Sequence, residues 1–374
     1  MAGATQRALY GAIDLELSWS EDALPQLART KHVHGLHPYL GKFIPQLAQA
    51  FLDRYFRPGD CLYDPFMGSG TTLVEANAFG AHAVGCDVSA FNCLLARVKT
   101  TAYSLAALEP ALLAALERAS ERSGREEAGS EWLRSWYAPQ ALGELTAYRR
   151  EIDRLEPSAG RVASIVLSRA ARSARRTAHF DLDFPRSPQL GAYWCYKHRR
   201  TCRPVGEAAK FLRRYTLDTI RRLREFSLVK TDAKVAVVHG DARTSYLPLD
   251  PTGIITSPPY PGLIDYHEQH RYAYELLGLE DRRADEIGAA AAGRSESAVR
   301  RYVDAMVAAF EQARERLPRG APVVIVVNDS KGLYPHIVAR SGLRIEERLT
   351  RHVNRRTGRR AGEFFEDVLV CSAT

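Results

Sequence analysis

Apolar residues recur at helical spacing through residues 46–56 (QLAQAFLDRYF) and stop at Arg57-Pro58-Gly59-Asp60, a turn sequence. Cys61-Leu62-Tyr63 then predicts a short strand running into a glycine-rich turn, and residues 72–78 predict the helix that follows. Residues 83–87 read as a second strand, this one ending on a carboxylate, and residues 91–99 as another helix. Strand, turn, helix, strand, helix is how a doubly wound α/β sheet begins.

The periodicity then changes. Residues 104–156 are helical and rich in Ala, Leu and Glu, with breaks near Ser123-Gly124 and at Pro139. The next stretch is broken at Pro185, Pro188 and Pro204 and becomes helical again over 207–226. Strand patterns return at 235–238 and 253–255. A helix over 302–317 leads to the strongest strand, 323–327, and 345–352 with 364–371 predict a closing antiparallel hairpin around the loop 354–362. Residues 281–297 show no period and predict a mobile loop, and no internal repeat is visible. For a chain of 374 residues this pattern divides as follows: 1–100 the first part of an α/β core, 101–234 a mainly helical insertion, 235–374 the second part of the core.

Charge sharpens that division. The formal net charge is +8, yet residues 161–230 hold 17 Lys/Arg against 5 Asp/Glu, so this window carries +12 and the remainder about −4. One basic region on a near-neutral body is the footprint of a polyanion partner. Tyr193, Trp194 and Tyr196 interleave with it, which favours nucleic acid over a merely solvated helix face. Arg172, Arg175, Arg176, Lys197, Arg199 and Arg200 are its candidate contacts, joined by Arg355 and Arg356 in the final hairpin loop. Six scattered cysteines do not make a disulfide scaffold, and no run is long enough to span a membrane. A reduced, cytoplasmic, soluble protein is expected.

Two strings carry the chemistry. Asp64-Pro65-Phe66-Met67-Gly68-Ser69-Gly70-Thr71-Thr72 places glycines where backbone N–H groups can approach a ligand, at the start of a helix whose N-terminus favours negative charge. Thr256-Ser257-Pro258-Pro259-Tyr260 brings together a hydroxyl, a carbonyl held between prolines and an aromatic ring. Asp87, about 20 residues after the glycine turn, has the spacing of an acid that accepts ribose hydroxyls.

Together the two strings resemble motifs I and IV of the S-adenosylmethionine-dependent amino-methyltransferases of DNA, and the Ser-Pro-Pro-Tyr form resembles the cytosine-N4 branch. His37-Pro38-Tyr39-Leu40-Gly41-Lys42-Phe43 resembles motif X, and Asp241 the acid of motif III. The resemblance implies a Rossmann-like, seven-stranded methyltransferase core that binds S-adenosyl-L-methionine and acts on double-stranded DNA, with a cognate restriction endonuclease as a candidate partner. It implies that His37, Tyr39, Lys42, Phe43, Asp64, Pro65, Phe66, Gly68, Gly70, Thr71, Thr72, Asp87 and Asp241 surround the cofactor. Ser257 and the Pro258 carbonyl would accept the N–H bonds of the target amine, Pro259 would stiffen the turn, and Tyr260 would stack on the base.

Three matters stay open on the sequence. An adenine-N6 enzyme, an RNA amino-methyltransferase and an inactive DNA-binding relative share these motifs. The insertion falls between motifs II and III, not where target-recognition domains of this class usually sit, so its recognition role rests on charge and size. Finally, Cys195-x2-His198-x3-Cys202 offers three adjacent metal ligands where structural zinc takes four, with His179 the nearest spare. Ordinary packing, with no metal, is the expectation.

Overall fold

The buried run Cys-Leu-Tyr-Asp forms the centre of the sheet. In chain order the strands are β1 (Cys61–Asp64), β2 (His82–Asp87), β3 (Tyr193–Cys195), β4 (Arg200–Cys202), β5 (Val235–His239), β6 (Gly253–Thr256), β7 (Pro322–Val327), β8 (Leu343–His352) and β9 (Phe365–Ala373). The computed structural model describes residues 15–20, 22–41, 43–122, 129–179, 181, 185–262, 264–289, 291, 293, 295–353 and 365–374. Seven strands make one sheet in the order β5-β2-β1-β6-β7-β9-β8, and β3 and β4 make a separate antiparallel pair. β1, β2, β5, β6 and β7 run parallel, while β9 is antiparallel to both β7 and β8. The expected doubly wound core and its closing hairpin are therefore present, and strand order reverses between β1 and β6.

Helices cover the sheet: α1 (Pro45–Tyr55), α2 (Thr71–Phe79), α3 (Ala90–Thr100), then α4 (Leu105–Arg122), α5 (Glu131–Trp136), α6 (Pro139–Ile152), α7 (Pro157–Ala174) and α8 (Ala209–Ser227). After β6 come α9 (Tyr266–Gln269), α10 (Arg271–Leu277), α11 (Glu296–Arg314) and α12 (Tyr334–Arg340). Proline at the first turn opens α1, α6 and α7, where its missing N–H costs no hydrogen bond. Gly70 precedes α2 at φ +76°, and a Cβ there would stand 3.0 Å from Ala96 Cβ, so glycine lets α2 close against α3.

The helical segment 101–234 shares a hydrophobic core with the methyltransferase-like half. Leu112, Leu145, Tyr148, Ile165 and Val166 pack in one cluster with Phe91, Leu95 and Val98 of α3 and Tyr272 of α10. The insertion thus braces the helix behind the glycine turn and the segment after β6.

Its positive charge is partly spent inside the fold. Asp218 binds Arg169, Arg221 and Arg222, and Arg222 also donates to the carbonyls of Thr30 and His32. Arg175, expected as a phosphate contact, is instead buried with its guanidinium 4.7 Å from the Tyr272 ring centre. The amphipathic period of α7 turns that position inward, which a count of charges does not register. Lys197, Arg199 and Arg200, at the tip of the β3–β4 hairpin, are exposed. Arg355 and Arg356 lie outside the described residues. No helix among the described residues is long and apolar enough to cross a membrane.

Candidate active site

The crevice at the β1/β6 reversal, outside the carboxyl ends of the strands, is where open α/β sheets bind ligands. A cavity of about 630 Å³, including its open mouth, occupies it. Pro65, Phe66 and Gly68 after β1, Asp87 after β2, Asp241 after β5 and Ser257 after β6 all line it. Four separate strand ends deliver these residues, so the sheet itself brings the glycine string and the Ser-Pro-Pro-Tyr string together.

Asp87 is a densely hydrogen-bonded carboxylate on one wall of the cavity. Its carboxylate accepts from the Gly68 N–H (2.9 Å), the Ser89 N–H (2.8 Å) and the Asn92 side-chain amide (3.1 Å to each oxygen). Burial nevertheless pushes the carboxyl up to about 6, because three donors do not replace the lost water. Gly68 sits at φ +46°, and a Cβ there would lie 2.8 Å from the Tyr39 hydroxyl, so this approach is open to glycine alone. Tyr39 lines the same wall, accepts from Asn92 and stacks on Tyr266 at 5.6 Å between ring centres. Asp241 reaches the cavity too, though its carboxylate is gripped by Arg243 at 2.5–3.0 Å.

Other residues of the first string support the cavity from behind. Asp64 is buried, accepts from the Thr256 hydroxyl at 2.7 Å and from the Phe66 N–H at 3.1 Å, and so ties the end of β1 to the end of β6. Burial raises this carboxyl to about 6 as well. Thr72 donates to the Ile255 carbonyl across the same strands, and Thr71 is buried at the first turn of α2. Phe43 packs in the apolar core with Leu47 and Phe51. His37 is fully buried, bonded to Ser168 of α7 and to the Pro38 carbonyl, and burial lowers its pKa well below the ordinary histidine value. Its hydrogen bonds tie the segment carrying Tyr39 to α7. Lys42 lies outside the described residues.

On the opposite wall the chain is held stiffly. The Pro259 carbonyl accepts from Tyr302 of α11 at 2.9 Å, and Tyr302 is bonded to Tyr334 of α12. Ser257 bonds the Tyr260 hydroxyl, which also lies 3.5 Å from Glu366 of β9. Arg351 on β8 pairs with Glu366, so the closing hairpin buttresses the Ser-Pro-Pro-Tyr turn. Among the described residues nothing donates a hydrogen bond to the Pro258 carbonyl.

The sequence pattern did not disclose a third wall. The aperiodic stretch 281–297, expected as a mobile loop, contributes Asp285, Glu286 and Ile287 to the cavity lining. Glu286 accepts from the backbone N–H of buried His267 and pairs with its ring, while Arg282 pairs with Asp285. These are contacts between polar side chains, which leave no hydrophobic period. Asn92, Ile264 and Tyr266 also belong to the lining. Asn92 had one available signal: it stands at the first turn of α3, five residues beyond Asp87 and within reach of it.

A family model described as DNA methylase, of the N6/N4 methyltransferase type, matches residues 14–97. Type II methyltransferase M.MjaII of Methanocaldococcus jannaschii is 36% identical over an alignment covering 95% of this chain and 83% of that protein. Type II methyltransferase M.MvaI of Kocuria varians is 42% identical over 71 residues, 18% of this chain and 16% of that protein. The tRNA (guanine(10)-N2)-dimethyltransferase of M. jannaschii matches a shorter stretch, 42% over 53 residues, 14% of each chain.

Proposed function

The chain belongs to the N6/N4 DNA methylase family, and on that premise we propose that it transfers the methyl group of S-adenosylmethionine to the exocyclic N4 amine of cytosine in DNA. The observation that carries this reading is the placement of Ser257 in the same cavity as Gly68 and Asp87. The residues fit the cofactor: an acceptor carboxylate at the end of β2, a glycine no side chain could replace, and apolar surface from Phe66, Ile264 and Ile287. When bound, S-adenosylmethionine supplies an electrophilic methyl on a sulfonium.

The rest is positioning. The lone pair of an exocyclic amine is conjugated into its ring, which makes the nitrogen a poor nucleophile. Two acceptors on its N–H bonds, the Ser257 hydroxyl and the Pro258 carbonyl, turn the lone pair out of the ring plane. Tyr302 and Glu366 hold that turn through Pro259 and Tyr260, so the acceptors need no reorganisation as the bond forms. Tyr260 covers the base. Because such a cavity cannot meet a base stacked in a duplex, the target cytosine is flipped out. Lys197, Arg199 and Arg200, exposed beside Trp194 and Tyr196, supply backbone contacts on the insertion. A restriction endonuclease of the same recognition sequence is the partner this reading implies.

The reading is tested by nucleoside mass spectrometry on DNA from cells expressing the protein. N4-methylcytosine is expected. N6-methyladenine would overturn the base while keeping the positioning argument, and a methylated base in RNA alone would overturn the substrate.

Asp87 also gives the reaction an acid limb. Cofactor hydroxyls donate to its ionised form, and its pKa of about 6 in the free protein stands above the ordinary 3.8. Binding therefore weakens as pH falls through 6, and calorimetry at pH 5 against pH 7.5 should show roughly tenfold lower affinity, the effect of one linked proton. The sign for folding is opposite. A raised carboxyl favours the fold most at low pH and loses that contribution as pH rises through about 6. An affinity independent of pH between 5 and 7.5 would remove Asp87 from the cofactor site.

A further inference from the structure

The geometry points to a structural zinc ion bound by His179, Cys195, His198 and Cys202. Packing without a metal was the expectation for this Cys-His-Cys run, because only three ligands are adjacent in the sequence and His179 was no more than the nearest spare. The fold supplies the fourth. His179, 16 residues before Cys195, comes back over the β3–β4 hairpin and places Nδ1 3.6 Å from Cys195 Sγ. Within the hairpin His198 Nδ1 stands 3.6 Å from Cys195 Sγ and 3.5 Å from Cys202 Sγ. The four ligand atoms all lie within 4.8 Å of one another.

These lengths decide between packing and a metal. With Zn–S about 2.3 Å and Zn–N about 2.0–2.1 Å, a tetrahedral ion separates its sulfur and nitrogen ligands by about 3.6 Å. All three sulfur–nitrogen separations match that edge. A packing explanation must make one imidazole nitrogen, His198 Nδ1, the partner of two thiols at once. A neutral imidazole nitrogen offers a single lone pair.

The backbone is shaped for the same purpose. β3 and β4 pair antiparallel, with Cys195 opposite Arg200 and Tyr193 opposite Cys202. The turn between them folds His198 N–H onto the Cys195 carbonyl at 3.2 Å and sets Arg199 at φ +50°, in the left-handed region that side chains other than glycine seldom adopt. Tyr193 donates no metal ligand but fixes the remote one, since its hydroxyl accepts from the His179 N–H at 2.9 Å.

The hairpin also needs a core. Between α7 and α8 the regular structure is three residues per strand, and Leu190, Trp194 and Tyr196 are exposed. Cys195 is fully buried and Cys202 nearly so. Segments too small to bury an apolar core are commonly held by metal, whose binding energy becomes folding energy. Two thiolates and two imidazoles are a borderline-soft, tetrahedral donor set that selects zinc, and four protein ligands leave no open position for catalysis.

A second cluster, His32, His34 and Glu75, does not support the same inference. Glu75 is already paired with Lys31 at 3.0 Å and His34 at 2.6 Å, so a cation there would have to displace an ammonium.

The test uses the full-length protein, purified under reducing conditions without a chelator. Elemental analysis should find one zinc per chain. Exchange into cobalt should give intense visible bands of a tetrahedral ion, with thiolate-to-cobalt charge transfer in the near ultraviolet. Combined Cys195→Ser and Cys202→Ser should abolish both the zinc and the charge-transfer band, and His179→Ala should lower metal affinity while leaving that band. Protein that carries less than a tenth of an equivalent of zinc and shows no thiolate band on adding cobalt overturns the inference. So does a Cys195–Cys202 disulfide found by peptide mass spectrometry in freshly purified protein. Should the double variant fail to fold, the cobalt spectrum of the unaltered chain decides alone.

Discussion

Ser257→Ala should lower methylation turnover about a hundredfold or more, the scale on which removing one preorganised hydrogen-bond partner of a transition state acts. Affinity for S-adenosylmethionine should be unchanged. Ser257 lines the cavity from the end of β6, whereas Gly68 and Asp87, proposed to face the cofactor, come from the ends of β1 and β2. Among the described residues its hydroxyl is bonded to Tyr260, so the substitution should strand no buried partner and should not destabilise the fold. Tyr260 keeps its contact with Glu366. Single-turnover methylation with saturating DNA and cofactor, beside calorimetric cofactor binding, separates the two quantities. A parallel fall in both would mean that Ser257 belongs to the cofactor wall, and the acceptor role would be wrong.

Much of this was legible in the sequence because the two strings are contiguous and their chemistry is local. A strand, a glycine turn and a helix can be read from fifteen consecutive residues, and alternating strands and helices give the doubly wound class, while the order of the strands is visible only in the fold. What escaped the reading depends on contacts distant in sequence. Asp64 looked like a cofactor residue by its position in the string, yet its carboxylate serves Thr256, 192 residues away. The charge window looked uniformly available, yet Asp218 alone engages three of its arginines, and helical phase turns Arg175 onto Tyr272. The wall formed by Asp285–Ile287 has no apolar pattern because contacts between polar side chains fix it. The Cys-His-Cys run looked incomplete because His179, its nearest spare ligand, stands 16 residues before Cys195, and only the fold shows that residue brought back beside the run.

Asp87→Asn should weaken cofactor binding roughly two- to thirtyfold, since hydrogen bonds to a charged acceptor contribute about 1.5–3 kcal/mol against about 1 for a neutral one. The asparagine is isosteric, and its single carbonyl oxygen can still accept from either Gly68 or Ser89. Its amide group would face a donor at the other position, and Asn92 would lose one of two carboxylate oxygens. The Gly68 turn is the element at risk, because the Asp87 carboxylate takes the Gly68 N–H and Tyr39 packs against it. The bonds from the Met67 N–H to the Cys86 carbonyl and from Lys99 to the Ser69 carbonyl still hold the rest of the string. At saturating cofactor the turnover should return close to that of the unaltered enzyme. Asp87 stands away from the reacting nitrogen and contributes equally to ground and transition states, the pattern of an interaction that alters KM and leaves kcat. The variant should also lose the acid limb of cofactor binding, since the group that titrates near 6 is gone. Both signatures must appear together. A variant with weakened binding that still loses affinity below pH 6 would assign that proton to Asp64, the other buried carboxyl held near 6, and would move the pH control of this site from the ligand to the β1–β6 tie behind it.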